Sequence, residues 1–375
     1  MQILNFDLAR ACAQRRLPRG VFEYIDRGTE DETAILATRH AFDAHRIMPR
    51  VLRNEAPPDT RVTILGENWN QPFMVAPTAC AGLVHYNGEI ELARAAERFG
   101  IPFCAATEAI TDISGIAHSV RRQPWFQLYV WEPLEYSLEL LDHVRALGVT
   151  TLLVTVDTPV APNREYNIRN GFDIPFRFSM RNILDLARHC GWVAQVMLPY
   201  IRRGRLPDFA NYPPAFRATL LGPGAAGSLT HHPRLSWDIL RQLREKWPGH
   251  FVIKGILHPD DARMAADMGA EGIVVSSHGA RNFDSAMTVL DALPAIVQTV
   301  GGRLTILADS GVRRGSDIFK LLAQGAQGVL TGRAMLYGLA CDGQHGATRM
   351  MQILAGELTT TMRFAGCRTV DDIRT

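Results

Sequence analysis

Eight short runs of apolar, largely β-branched residues recur along the chain. They lie at 72–79 (PFMVAPTA), 101–106 (IPFCAA), 125–130 (WFQLYV), 151–157 (TLLVTVD), 250–257 (HFVIKGIL), 272–278 (GIVVSSH), 303–311 (RLTILADSG) and 328–333 (GVLTGR). Their apolar character is nearly continuous rather than alternating, the pattern of parallel strands covered on both faces. The segments between them carry helical periodicity. Leu134, Leu138, Leu141 and Val144 share one face of a helix over 134–147. Over 316–325, Ser316 caps a helix with an apolar stripe of Ile318, Leu321 and Leu322, and Gly325 stops it. Eight strands alternating with helices predict an α/β fold, a single (β/α)8 TIM barrel.

The starts of these runs lie 22 to 31 residues apart, except that 99 residues separate 151 from 250. Residues 1–375 are thus expected to form one barrel domain, with a helical lead-in over 1–70 and a long insertion after strand four over 158–235. Composition narrows the class without changing it. Of 375 residues, 47% are hydrophobic and 21% charged, as in a folded globular chain. Lys and Arg number 40 against 38 Asp and Glu, a net charge of +2, and no nucleic acid partner is expected. The absence of any run of 18 apolar residues excludes a conventional spanning helix. Cys12, Cys80, Cys104, Cys190, Cys341 and Cys367 are scattered without a CxxC pair. Neither a disulfide framework nor a metal site is therefore expected, and a reducing cytoplasm is the simpler compartment. Asp7 and Arg10 interrupt the N-terminal stretch, which reads as part of the mature fold rather than an export signal.

In such a barrel the C-terminal strand ends and the loops after them build the site. Here every end is polar: Thr78, Thr107, Gln127 with Tyr129, Thr155 with Asp157, Lys254, Ser276 with His278, Asp309, and Gly332 with Arg333. Solubility alone does not require that. ADSGVRRGSD (308–317) and LTGRA (330–334) combine glycines and arginines with helix starts, the setting for a phosphate. Gly311, Gly315 and Gly332 could equally serve tight turns. In SSHGARNFD (276–284) a histidine stands at a strand end with an arginine three residues on. A histidine there is often structural, but Asp157, Arg164, Tyr129 and Lys254 converge on the same mouth. A carboxylate beside the imidazole is expected to favour its protonated form and fix its orientation. Arginines offer paired donors to a substrate carboxylate. Together these are parts for removing a proton or hydride equivalent from a carbon next to a carboxylate.

With those residues in hand, nearly the whole chain closely resembles the FMN-dependent L-2-hydroxy acid oxidase and dehydrogenase family, which includes glycolate oxidase, respiratory L-lactate dehydrogenase and (S)-mandelate dehydrogenase. The resemblance runs in order through FEYIDRGTEDE (22–32), APTA (76–79), FQLYV (126–130), TVDTP (155–159), IKG (253–255), SSHGAR, DSGVRRG (309–315) and FAGCRTVDDI (364–373). It implies oxidation of an L-2-hydroxy acid to the 2-oxo acid, with FMN across the barrel mouth. Ala76, Pro77, Thr78, Ala79 and Gln127 are then expected along the flavin ring, with Thr155 bonded to it. Lys254 is expected at its N1 and O2 edge, Ser276 assisting, and Asp309 on the ribityl chain. Gly311, Arg313, Gly332 and Arg333 are expected on the phosphate, with Arg314 solvated. Arg164 and Arg281 should clamp the substrate carboxylate beside Tyr24 and Tyr129. His278 should be the base, with Asp157 behind it, taking a proton either from C2 or from the hydroxyl as hydride leaves.

Departures from the family pattern matter here. Family members usually carry Ser where Ala106 stands, so one flavin hydrogen bond is expected either to be missing or to be replaced by Thr107. The family's SNHGGRQLD reads SSHGARNFD, which keeps both His278 and Arg281. Glu108 occupies a position where glycolate-oxidising members often have a large aromatic, and Ala161 is small where others are bulkier. A roomier pocket suits a bulky or aromatic acid over lactate, unless Glu108 points to solvent.

Residues 177–217 hold seven arginines (177, 181, 188, 202, 203, 205 and 217) against two aspartates (185 and 208), a net +5. Interleaved are Trp192, Val193, Val196, Met197, Leu198, Tyr200 and Ile201. Basic residues around an apolar patch suit a segment lying on anionic lipid. GWVAQVMLPYIRRGRLPDFANY (191–212) also resembles the membrane-docking loop of mandelate and respiratory lactate dehydrogenases. A mobile lid or an oligomer contact would use the same residues. The resemblance implies a homotetramer, and the expectation is a cytoplasmic protein peripheral on the inner face of the membrane, passing electrons to a quinone. Two rivals stay open. One is a cytosolic oxidase that uses O2 and releases H2O2; the other, of a different class, is a Schiff-base aldolase with Lys254 as nucleophile.

Overall fold

Eight short parallel strands form the centre of the computed structural model, which describes residues 2–53, 56–172, 179–217 and 229–374. They are β1 (Phe73–Val75), β2 (Cys104–Ala106), β3 (Trp125–Leu128), β4 (Thr151–Thr155), β5 (His250–Ile256), β6 (Gly272–Val275), β7 (Thr305–Ala308) and β8 (Gly328–Thr331). Each pairs with its sequence neighbours, and β8 pairs back to β1 through Val329–Phe73, Leu330–Met74 and Thr331–Val75. A parallel bridge between Val75 and Phe103 completes the ring, so the sheet is the closed TIM barrel expected. Each of these eight barrel strands lies inside one of the eight apolar runs. All the runs but 101–106 extend past the strand at the C-terminal end, into residues that belong to the loops.

Strand parity explains both the core and the mouth. Met74, Cys104, Trp125, Leu153, Val252, Val274, Leu307 and Leu330, one from each strand, make a buried inner layer. A hairpin of Val62–Ile64 and Glu67–Trp69 plugs the end where the strands begin, adding Ile64 and Trp69 to that layer. Trp69 meets Trp125 edge-on at 5.7 Å. Side chains alternate faces along a strand, so stepping two residues onward reaches the next inward positions. These are Ala76, Ala106, Gln127, Thr155, Lys254, Ser276, Asp309 and Gly332. The polar ring of the mouth is thus the second inward layer of the same barrel. The alternate residues, among them Phe126, Leu152, Phe251, Ile273 and Ile306, point outward into the larger core against the helices.

Helices Phe6–Arg16, Arg19–Asp26 and Thr33–Ala44 precede the barrel. The last begins without a side-chain cap of its own. Asp284 supplies one from the loop after β6, accepting from the Thr33 and Ala34 amides at 3.1 and 3.0 Å and from the Thr33 hydroxyl at 2.8 Å. The helix after β3, Leu134–Ala146, buries Leu140, Leu141 and Val144, while Leu134 and Leu138 sit at its half-buried edge. The helix after β7 is Gly315–Ala323, and Ser316 does not cap it. Asp317 does, accepting from the Arg313 and Arg314 amides at 2.9 and 3.0 Å while it pairs with Arg39 at 3.0 Å. Arg314, expected to be solvated, pairs with Glu357 at 2.7 Å.

Between β4 and β5 the chain forms Glu165–Asn170, Met180–Arg188 and a helical run from Cys190 to Arg202 with a π-turn at Val193–Met197. Val196, Met197 and Tyr200 are buried. Trp192 Nε1 donates to the Leu83 carbonyl at 2.8 Å, and the Tyr200 hydroxyl to that of Gly82 at 3.2 Å. Those four residues therefore face the barrel and not a lipid surface. Val160, Ile168, Met180, Ile183, Leu184, Ile201 and Leu206 are the large apolar residues left exposed there among the described residues. Arg177 lies outside the described residues. Among the described residues no helix is long and apolar enough to cross a membrane. Further on, Thr230–His231 pairs antiparallel with Trp131–Glu132, which draws the insertion over the barrel mouth.

Candidate active site

The second inward layer opens into a cavity of about 1880 Å³. At its floor the Lys254 ammonium donates to Ser276 Oγ at 3.0 Å and pairs with Asp309 at 3.3 Å. Burial alone would lower the lysine's pKa, but the charges of Asp309 and Asp157 reverse that and hold it above the ordinary value. A protonated amine is not a nucleophile, so the aldolase reading loses its central residue. Gln127 Nε2 donates to Thr155 Oγ1 at 3.0 Å beside it.

The loops after β6 and β7 hold strained backbone. His278, Gly279 and Ala280 run in succession at φ of 54°, 63° and 58°, and Ser310 and Gly311 follow suit at 71° and 84°. Such conformations in residues with a Cβ cost on the order of 1–3 kcal/mol and persist only where neighbours enforce them. Here Ser310 Oγ accepts from the Ser277 and Gly279 amides at 3.2 and 2.9 Å and donates to Asp309 Oδ1 at 2.7 Å. Ser276 Oγ accepts from the His278 amide at 3.0 Å. The two serines lock the turn that aims the His278 ring.

That ring is held at both nitrogens. Nδ1 lies 2.9 Å from Asp157 Oδ1, and Nε2 lies 3.2 Å from the Tyr129 hydroxyl. A carboxylate can only accept, so Nδ1 carries the proton and Nε2 presents its lone pair to the cavity. Burial lowers the imidazole's pKa, Asp157 opposes this, and the Lys254 charge adds to it; the net is below the ordinary histidine value. This corrects the sequence expectation of a protonated ring. The imidazole is neutral near pH 7 and free to act as a base. Burial pushes Asp157 up, but the neighbouring His278 and Lys254 bring it below the usual carboxylate range.

Positive charge collects on the other walls. Arg164 and Arg281 flank the Tyr24 ring at 5.9 and 5.0 Å, and Arg281 is fixed by the Tyr24 and Arg27 carbonyls. Among the described residues Arg333 bonds only carbonyls, those of Ile25, Arg27 and Gly279. Burial, then the Arg281 charge, lowers the pKa of both Arg164 and Arg333. Among the described residues none of these three guanidiniums has a carboxylate at salt-bridge distance. Arg313 rests over Phe6 at 5.4 Å near Gly311. Burial raises the Tyr24 and Tyr129 phenols far above their ordinary value, so both stay protonated donors.

The cavity wall thus brings together Tyr24, Ala76, Pro77, Thr78, Ala79, Gln127, Tyr129, Thr155, Arg164, Lys254, His278, Arg281, Asp309, Gly311, Arg313, Gly332 and Arg333. Three expected residues stand behind it. Thr107 turns its hydroxyl to the Gln127 carbonyl at 2.7 Å and receives the Tyr129 amide at 3.0 Å, so it braces the wall instead of replacing the hydrogen bond missing at Ala106. Ser276 acts through Lys254 and His278, and Asp157 through His278. Ser310 and His231 were not identified from sequence. Ser310 could have been noticed beside Asp309, whereas His231 arrives from a distant strand without any local signal.

Comparison with known proteins places this geometry. The model of the FMN-dependent dehydrogenase family matches residues 13–375. The L-lactate dehydrogenase of Pseudomonas syringae is 38% identical over 366 residues, covering 97% of this chain and 95% of that protein. That of Stenotrophomonas maltophilia is 39% identical over 368 residues, with the same coverage of 97% and 95%. Among solved structures, the monotopic membrane protein (S)-mandelate dehydrogenase superposes with a TM-score of 0.90 at 32% identity, covering 100% of this chain and 98% of that one. A mandelate oxidase with (S)-2-phenylpropionate gives 0.83 at 31% identity, covering 100% and 97%.

Proposed function

The chain belongs to the FMN-dependent dehydrogenase family, and we propose that it oxidises an L-2-hydroxy acid to the 2-oxo acid and passes the electrons to a membrane quinone. One observation carries the reading: the unprotonated Nε2 of His278 shares a cavity with guanidiniums that lack any carboxylate partner among the described residues. Uncompensated buried cations call for bound anions. Arg313 and Arg333, beside the glycine loops after β7 and β8, fit a dianionic phosphate. The residues present therefore fit FMN. Gly311, Arg313, Gly332 and Arg333 would hold its phosphate, Asp309 its sugar chain, and Ala76, Pro77, Thr78, Ala79, Gln127, Thr155 and Lys254 its ring system. When bound, FMN supplies a two-electron acceptor beside the base.

The remaining work falls to side chains. Arg164 and Arg281 clamp the substrate carboxylate, with the Tyr24 and Tyr129 phenols donating next to it. His278 takes the substrate proton at Nε2, and Asp157 stabilises the imidazolium that forms through Nδ1. The Lys254 ammonium would supply fixed positive charge at the ring system it holds.

For the electron acceptor and its location, support comes from the insertion. Met180, Ile183, Leu184 and Ile201 are exposed amid Arg181, Arg188, Arg202, Arg203 and Arg205. This surface suits anionic lipid. Met48, Val51, Leu52 and Phe364, 85%, 81%, 95% and 69% exposed, support a contact between subunits; the homotetramer itself rests on the family resemblance. The test is anaerobic addition of L- and D-2-hydroxy acids to the FMN-loaded protein, then of a short-chain quinone or O2. Loss of visible flavin absorbance with L-acids alone, restored faster by quinone, is expected. No bleaching by any 2-hydroxy acid overturns the reaction; faster return with O2 and release of H2O2 overturns the quinone assignment. Co-sedimentation with anionic but not neutral vesicles checks the membrane surface, and its absence refutes it.

A further inference from the structure

The proposed reaction uses one carboxylate–imidazole pair, yet the cavity contains a second. Glu108, in the loop after β2, lines the same space as His278. Its Oε1 receives two donors, His231 Nε2 at 3.2 Å and the Tyr212 hydroxyl at 3.4 Å. His231 stacks on the Tyr129 ring with centroids 4.4 Å apart and planes 19° from parallel. The base itself also neighbours that tyrosine, 3.2 Å from the Tyr129 hydroxyl. The second pair therefore stands one aromatic ring away from the reacting centre. Burial is the main cause that raises the Tyr24 and Tyr129 phenols, and the Glu108 charge adds to both, as fits a carboxylate near the two rings that flank the proposed carboxylate clamp.

A carboxylate offers about four lone-pair positions. His231 and Tyr212 take two, both at Oε1, and Oε2 makes no hydrogen bond among the described residues. The Glu108 side chain is 19% exposed, and that exposure opens into the cavity. An apolar substrate side chain laid against it would strip water from a charged oxygen and return nothing. A hydroxyl or amine would replace the lost water with a charge-assisted hydrogen bond.

We propose that Glu108 determines substrate choice by accepting a hydrogen bond from the side chain of the 2-hydroxy acid, so that the enzyme selects acids whose side chain bears a hydroxyl or amine donor about one ring's length from C2. His231 and Tyr212 are positioning residues that hold the other carboxylate oxygen. The inference rests on the reaction proposed above and names the class of substrate for it.

The test uses matched pairs that differ by one donor: mandelate with 4-hydroxymandelate, and 3-phenyllactate with 3-(4-hydroxyphenyl)lactate. The second-order rate constant for anaerobic flavin reduction is measured with the FMN-loaded protein. A site built to bond a substrate hydroxyl discriminates strongly, and for a partly exposed carboxylate the hydroxylated member should lead by about 10-fold or more. In Glu108→Leu that ratio should fall to about one, because no acceptor remains. Glu108→Gln keeps a neutral acceptor and should give an intermediate ratio, which keeps the test open if the leucine variant fails to fold. A ratio near one in the parent, or one unchanged in either variant, overturns the inference while leaving the reaction intact. If no 2-hydroxy acid reduces the flavin, the reaction itself fails and the inference falls with it.

Discussion

Asp157→Asn isolates what the carboxylate behind the base contributes. Asparagine is nearly isosteric, which matters because Gly255 packs against this side chain: a Cβ there would lie 2.6 Å from the Asp157 Cβ. The Asp157 carbonyl still accepts from Asn282 at 2.9 Å, so the loop is retained. What disappears is a negative charge 2.9 Å from His278 Nδ1. Unit charges about 4 Å apart interact by roughly 4 kcal/mol at an effective dielectric near 20, and an amide hydrogen bond returns part of that. A loss of about 2–4 kcal/mol in stabilising the imidazolium corresponds to a flavin-reduction rate roughly 30- to 1000-fold lower. If the amide presents its nitrogen to the ring, Nδ1 must accept, the proton moves to Nε2, and the loss reaches the upper end. The pH profile shifts with a definite sign. Asp157 is the leading influence raising the His278 pKa against burial, so its removal lowers that pKa further. The acidic limb of the rate profile, which reports conversion of the base to its neutral form, should then move to lower pH while the plateau drops. Anaerobic stopped-flow at saturating substrate from about pH 5 to 9 reads both quantities. A plateau within about threefold of the parent, with an unmoved limb, would refute the assigned role.

Lys254→Met leaves Asp309 buried without its ammonium partner 3.3 Å away; the expected cost is about 3–5 kcal/mol together with loss of bound FMN, read by thermal unfolding and flavin content. For Gly311→Ala, φ is +84° and the new Cβ would lie 2.3 Å from Thr38 Cγ2, so stability should fall by about 1–3 kcal/mol and FMN should bind more weakly. Unaltered affinity and melting would contradict the close approach. Asp284→Ala removes the cap on Thr33–Ala44 and should cost about 1–2 kcal/mol at neutral pH. Burial raises the Asp284 carboxyl, but the Ala34 amide and the Thr33 hydroxyl and amide outweigh it, holding it below the ordinary value. Its contribution is therefore complete above about pH 4 and is lost as pH falls through the lower folded value. Denaturant midpoints of parent and variant should converge in strong acid, and a gap that persists there would count against the capping role.

The barrel was legible because each strand is buried on both faces and so must be written as an apolar run. The mouth was legible for a related reason: beyond the last buried inward residue of each strand, parity sends the next side chain into the site, which marks Gln127, Thr155, Lys254 and Asp309 without any tertiary information. Direction beyond the strand end was not legible. Thr107 and Ser276 have the same polar character as their neighbours, yet one turns to a backbone carbonyl and the other lies under Lys254. Local chemistry also misled at Ser316, where a better acceptor, Asp317, one residue on, takes the free amides. Long-range pairing left no mark at all. Nothing near Arg314 announces Glu357, and nothing near Glu108 announces His231, which a two-residue strand brings across the gap between β4 and β5. The protonation of His278 reversed because burial and Lys254 outweigh a single carboxylate, a balance that depends on depth and not on spacing.

The central claim is that His278 Nε2 removes the substrate proton next to a bound flavin. Its most direct test is anaerobic mixing of the FMN-loaded His278→Ala variant with an L-2-hydroxy acid that bleaches the parent. The account predicts a variant that keeps its FMN and its fold while the flavin absorbance stays constant through many parent turnover times. Bleaching at the parent's rate, or a correctly folded parent that takes up no FMN, would contradict it.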